Sequence, residues 1–254
     1  MTTAVLQAVG LSKHFGGVRA IDDLSFDVRP GEILGLIGPN GSGKSTTVNV
    51  LCGVFPATSG EILLGGDHVQ HLPEYARVAK GLARTFQTAS LFPEFTVREQ
   101  VALGSDVTLK SGPLSWIFGR RGGGDEAAAA ARVDEALALT GLTAVADRVV
   151  GTISSAEQRF LMIATALASQ PRVILLDEPA AGLVAHERRA LGETIRAIRD
   201  SGTAVLVIEH HMGLIMEICD RIVVLNFGRK IADGTPAEIR ADPAVVDAYL
   251  GEAA

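Results

Sequence analysis

The stretch GPNGSGKST, Gly38 to Thr46, constrains this chain more than any other. It fits the pattern G-x-x-x-x-G-K-[ST], and its setting matters more than the match. Before it, EILGLIG is a continuous apolar run bounded by glycine, which suits a buried strand. After it, Ser45 to Cys52 reads as a helix. A strand that feeds a helix through Gly38, Pro39, Asn40, Gly41, Ser42 and Gly43 lets backbone N–H groups converge on phosphate oxygens, with the positive end of the helix dipole behind them. Lys44 then reaches the β- and γ-phosphates, the Ser45 hydroxyl is a ligand for Mg²⁺, and Thr46 completes the motif. A glycine turn beside a solvated lysine is the plain alternative, and the strand–loop–helix setting argues against it.

VILLDEP, Val173 to Pro179, puts two carboxylates at the exit of another buried strand. Asp177 is placed to hold the Mg²⁺ shell, and Glu178 is a candidate general base for an attacking water. Alone, DEP could be an acidic turn; beside a phosphate loop it reads as part of the same site.

Bulk properties exclude several classes. A chain of 254 residues, 47% hydrophobic and 20% charged, can bury a large core and is ordinary for a folded soluble protein. A formal net charge of −6, with no stripe of clustered Lys and Arg, argues against a polyanion binder, so no nucleic-acid partner is expected. Cys52 and Cys219 lack paired or metal-ligand spacing and read as reduced thiols of a cytosolic protein. MTTAVLQAVGLSKHF lacks a signal-peptide core, and no run of about 18 uncharged apolar residues offers a membrane span.

Strand patterns occupy 5–9, 19–29 and EILLGG, then give way to helical patterns from about Phe92 to Gly141. They return in VILLD, AVLVIEH and RIVVLNFGRKIADG, with HERRALGETIRAIRDSG as a helix between. Strand–helix alternation at both ends implies an α/β core with a mostly parallel sheet, interrupted by a helical insertion. Within that insertion SSAEQRF begins another helix. Ser154 and Ser155 are good N-caps, and Glu157 stands in capping-box spacing to Ser154. The same N-terminus could hold an anion from elsewhere.

Taken together, GPNGSGKST, RTFQTASLFPEFTV, SSAEQR before an apolar helix, LLDEPAAGL and VIEHHM resemble, in order and spacing, the ATP-binding subunits of ABC transporters along nearly the whole chain. The resemblance implies a P-loop NTPase core with a mostly parallel sheet, an antiparallel N-terminal β part and a helical subdomain. The core would span 1–87 and 166–254, and the subdomain 88–165. It implies ATP and Mg²⁺ as ligands, with Gln87 linking the metal site to the membrane subunits and His210 contacting the γ-phosphate. Phe15 falls where the family places an aromatic ring against adenine; from the residues alone it reads more readily as core.

Ile153, Ser154, Ser155, Ala156 and Glu157 align with the family signature Leu-Ser-Gly-Gly-Gln, which grips the γ-phosphate bound to the opposite subunit of a dimer. Both glycines are replaced, and Cβ atoms at Ser155 and Ala156 restrict backbone approach to a phosphate. After DEP, Val184 stands where the family usually has an acid or amide that spans the dimer interface. The resemblance narrows to the ATPases of branched-chain amino-acid uptake systems through VIEHHMGLIMEICDRIVVLNFGRKIADGTPAEI, the closing DAYLGE and the extended segment 104–135. That segment contains Trp116 and Phe118, which read as subdomain packing or as an exposed patch for a membrane partner. The resemblance further implies a second ATPase subunit, a different chain given the two departures, and transmembrane permeases. It implies a peripheral position on the cytoplasmic face of the membrane, with membrane contact only through partners. An ATPase of a lipid or lipopolysaccharide exporter, and a nucleotide-gated interaction module, are the rival readings.

Overall fold

Two kinds of strand pattern build two different sheets. The structure, a computed structural model, describes residues 4–85, 91–105 and 123–250. It divides into two compact units, Met1–Gln87 with Arg172–Ala254, and Thr88–Pro171. In the first unit, strands of mixed burial, β1 (Leu6–Phe15), β2 (Val18–Val28) and β4 (Ser59–Leu64), pair antiparallel with one another and with the short exposed β5 (Asp67–His68), in the order β2-β1-β4-β5. Strands buried at every residue, β3 (Ile33–Ile37), β7 (Val173–Asp177) and β8 (Ala204–Ile208), need cover on both faces and lie inside the other sheet. With β6 (Leu82–Thr85), β9 (Arg221–Asn226) and β10 (Arg229–Gly234), that sheet has the order β10-β9-β3-β8-β7-β6. Neighbours from β9 to β6 run parallel, and β10 joins β9 antiparallel.

The two sheets share one buried cluster. Leu6, Leu11, Ile21 and Leu24 pack there with Leu34, Leu36, Leu175, Leu206 and Val223, and with Val48 and Leu51 of α1 (Lys44–Cys52). Each such side chain contributes about 1.5–3 kcal/mol by leaving water. RIVVLNFGRKIADG, which reads as continuous strand, is instead a hairpin. Phe227 at φ 45° and Gly228 at φ 78° turn the chain between β9 and β10, and Phe227 is 84% exposed. β6 has no sequence signal of its own, because LART carries Arg84 into the sheet.

The phosphate-loop helix is anchored at its far end. On α2 (Glu74–Ala79), Arg77 is 1% exposed and donates to Val50 O (2.7 Å), Leu51 O (2.6 Å), Gln70 O (3.0 Å) and Leu72 O (2.9 Å). Val50 and Leu51 belong to the last turn of α1, whose carbonyls carry the negative end of its dipole, and Val50 O also accepts from Gly53 N at 3.2 Å. Burial lowers the pKa of this guanidinium from its ordinary value.

In the second unit, α3 (Val97–Ser105) packs on α5 (Ser155–Leu167), with α4 (Gly123–Leu139) against both. The α3–α5 approach is close at Gly104, where a Cβ would lie 1.8 Å from Thr165 O. Back in the first unit, α6 (Ala185–Asp200) buries Leu191, Ile195 and Ile198, and α7 (Met212–Ile218), α8 (Pro236–Ala241) and α9 (Pro243–Leu250) follow. Cys52 and Cys219 are free and buried, and burial pushes the Cys52 thiol up to about 12. Among the described residues, no helix is long and apolar enough to cross a membrane.

Candidate functional site

Because β3, β8 and β7 are adjacent and parallel, their C-terminal ends deliver three loops side by side at one edge of the sheet. The first loop follows β3. A Cβ on Gly38 would lie 2.2 Å from Leu225 O, and one on Gly43, at φ 103°, would lie 2.4 Å from Ala20 O. Only glycine fits either place. Ser42 is buried and its carbonyl accepts from Gly228 N (3.0 Å), while Asn40 and Gly41 are exposed. Lys44 Nζ lies inside the loop, donating to Gly38 O (2.6 Å) and Pro39 O (2.8 Å). Ser45 is exposed and Thr46 half-buried in the first turn of α1.

Asp177 ends β7 and is 4% exposed. Its Oδ2 pairs with Arg84 Nη2 at 2.9 Å, and Arg84 Nη1 donates to Asn49 Oδ1 at 2.7 Å, tying α1 to β7 through β6. The other oxygen, Oδ1, is buried with no hydrogen-bond partner. A buried carboxylate oxygen without a partner is costly. Glu178, half-buried, takes φ 48°, a left-handed backbone that few non-glycine residues adopt, and its N–H donates to Ile208 O (2.9 Å). The third loop follows β8, where His210 has a side chain 67% exposed, beside the buried Glu209.

Phe15, at the end of β1, is 43% exposed and meets Phe55 edge-on at 5.4 Å, with Lys13 Nζ 4.8 Å from its ring centre. It is therefore not a core residue. Gln87, Trp116 and Phe118 lie outside the described residues, as does part of the segment 104–135.

Ser154 to Glu157 lie in the second unit, where Ser154 is the N-cap of α5. The capping box is complete. Glu157 Oε2 accepts from Ser154 N at 2.7 Å, and Glu157 N donates to Ser154 Oγ at 3.2 Å. The Ser154 N–H first, and its hydroxyl second, hold the Glu157 carboxyl below the usual glutamate range. Ser155 and Ala156 are the first helical residues. Val184 is the N-cap of α6 and 52% exposed. Only the reciprocal half of a box exists there, Val184 N to Glu187 Oε2 (2.8 Å), since valine has no acceptor to offer.

Two residues of this region escape sequence reasoning, Arg84 and Glu209. For Glu209 a signal exists: a carboxylate that directly follows the fully apolar AVLVI is carried to the edge of the core and needs donors. Arg84 gives none, since its partner is remote in the chain.

A glycine loop between buried strand and helix, with an acidic pair at the end of a parallel strand one place removed across β8, defines a P-loop nucleotide-binding core. Comparison with known proteins narrows the class. Residues 21–181 match the ABC transporter family, and residues 229–254 match the branched-chain amino acid ATP-binding cassette transporter family. The high-affinity branched-chain amino acid transport ATP-binding proteins LivG of Escherichia coli and BraF of Pseudomonas aeruginosa are each 40% identical over 100% of both chains. The lipopolysaccharide export system ATP-binding protein LptB of Escherichia coli is 34% identical over 98% of each. A solved ATP-binding cassette of an ABC transporter, in its ADP conformation, matches with a TM-score of 0.85 and 29% identity, over 98% of this chain and 100% of that one. This chain belongs to the ABC transporter family, as an ATP-hydrolysing, ATP-binding subunit.

Proposed function

We propose that this chain hydrolyses ATP to power an importer of branched-chain or related amino acids. It works as one half of a nucleotide-sandwich dimer, with permease subunits, on the cytoplasmic face of the membrane. The observation that carries the reading is identity of 40% across 100% of both chains to proteins named for branched-chain amino acid transport. The separate match at 229–254 supports the same substrate class.

In this reading the loop Gly38–Gly43 and the N-terminus of α1 cradle the phosphates, Lys44 turns its ammonium from Gly38 O and Pro39 O to the β- and γ-phosphates, and Phe15 stacks on adenine. The residues present fit Mg²⁺. Asp177 has a buried oxygen without a partner, Ser45 has an exposed hydroxyl, and Gln87 would complete the set. When bound with ATP, Mg²⁺ neutralises charge developing on the transferred phosphoryl group. Glu178 accepts the proton of the attacking water, and His210 contacts the γ-phosphate from the next loop.

The test is uptake. In the cell that makes this chain, deleting it should abolish uptake of labelled leucine, isoleucine or valine. Wild type should restore that uptake and Lys44→Ala should not. Unchanged uptake, with lipopolysaccharide retained in the inner membrane, would favour the exporter reading that LptB keeps in view.

A further inference from the structure

Glu209 is 1% exposed, its side chain fully so buried that none of it reaches solvent, and the chemistry just described does not use it. Burying a carboxylate costs several kcal/mol unless hydrogen bonds or a countercharge compensate. Three backbone N–H groups do so here. Oε1 accepts from Ala180 N at 2.6 Å, and Oε2 accepts from His210 N at 3.1 Å and His211 N at 3.3 Å. Among the described residues its ion-pair neighbour is His210, whose Nδ1 lies 3.9 Å from Oε2.

One oxygen therefore holds the loop after β7, and the other holds the loop after β8. Glu178 N binds Ile208 O, Pro179 has no N–H, and Ala180 N is taken by Glu209. These two contacts bracket the left-handed Glu178, whose backbone strain persists only where its surroundings over-determine it. We infer that Glu209 is a positioning residue for hydrolysis, one buried carboxylate that sets the loop of Glu178 and the loop of His210 in register. The inference rests on the roles proposed above for Glu178 and His210.

Glu209→Gln changes only one atom's hydrogen-bonding character. Its NH₂ would face an N–H donor on one loop or the other, so one loop is released. Glu209→Asp keeps the charge but is a methylene shorter and cannot reach both loops. In the assembled transporter, each variant should lower kcat about tenfold or more while KM for ATP moves less than about threefold. ATP affinity of the full chain should change less than about threefold, because most phosphate contacts come from the Gly38–Gly43 loop and α1, and His210 adds only one. In a Glu178→Gln background, Glu209→Gln should add little, since both act on one step. If the Gln variant shows no cooperative melt, the Asp variant carries the same kcat and KM test. A kcat within about twofold of wild type for a folded variant, with Glu178→Gln and His210→Ala both strongly impaired, would overturn the clamp alone. Full activity of Glu178→Gln and His210→Ala would instead overturn the reading on which it rests.

Discussion

Asp177 commits one oxygen to Arg84 and keeps the other buried without a partner, while Lys44 gathers the carbonyls of its own loop. These arrangements separate binding from chemistry residue by residue. In the function proposed above Lys44 is a ground-state phosphate contact, so Lys44→Ala should remove ATP binding by the purified chain. In the same proposal Glu178 acts on the water, so Glu178→Gln should leave binding in place and slow turnover in the assembled transporter about a hundredfold or more. Equilibrium binding and single-turnover hydrolysis check the two halves; equal turnover by wild type and Glu178→Gln would remove Glu178 as the base. The placement of Lys44, Asp177 and Glu178 at the ends of strands and loops was legible because each sits at a fixed offset from a glycine or a strand end. The placement of Arg84 was not, and Glu209 offered only the signal of a carboxylate directly after a fully apolar strand. Arg84 gains its role from Asp177, 93 positions away, and Glu209 from Ala180, 29 positions away, contacts that exist only once the parallel sheet is formed.

Helix ends show the same division between local and remote causes. The Ser154–Glu157 box could be read from spacing, as its two hydrogen bonds close within one turn. The cap on the other end of α1 could not, because it comes from Arg77 on a separate short helix. That guanidinium satisfies four carbonyls at once in a site 1% exposed. Lysine offers a compact ammonium on a flexible stem and cannot span the same fork-shaped set. Arg77→Lys should therefore leave buried carbonyls unpaired and cost about 3 kcal/mol, lowering the thermal midpoint by on the order of 10 °C. Differential scanning calorimetry of the full chain reads this directly, and a shift under about 2 °C would mean that water replaces the lost donors. The hairpin at Phe227–Gly228 illustrates a third case. Its turn residues do not announce themselves, since a phenylalanine at φ 45° is tolerated by the fold rather than favoured by its own propensity.

At the scale of the whole molecule, the residues proposed for this chain's own phosphate site that the structure describes stand at or just after the ends of β3, β7 and β8, whereas both departures from the family pattern fall on parts that the resemblance assigns to a partner's site. The resemblance assigns SSAEQR to the partner's γ-phosphate, yet the N-terminus of α5 already has an anion: the Glu157 carboxylate bound to Ser154 N. A phosphate arriving there would meet a like charge and the Cβ atoms of Ser155 and Ala156, not two glycines. Val184, exposed and without a polar side-chain atom, has no donor or acceptor to offer at the interface that the resemblance implies. In a homodimer both composite sites would inherit these defects. In a heterodimer, Lys44, Asp177, Glu178 and His210 can face an ordinary signature, leaving only the partner's site weak. We therefore predict two unlike ATPase subunits with unequal sites. The measurement is to disable the catalytic glutamate of each subunit in turn within the assembled transporter. Glu178→Gln should remove most ATPase activity and transport, and the equivalent change in the partner subunit should remove little. The reverse ranking, or full activity of this chain as a homodimer, would mean that a helix capped by its own glutamate still opens to receive a phosphate, with Glu157 giving up Ser154 N each time the dimer closes.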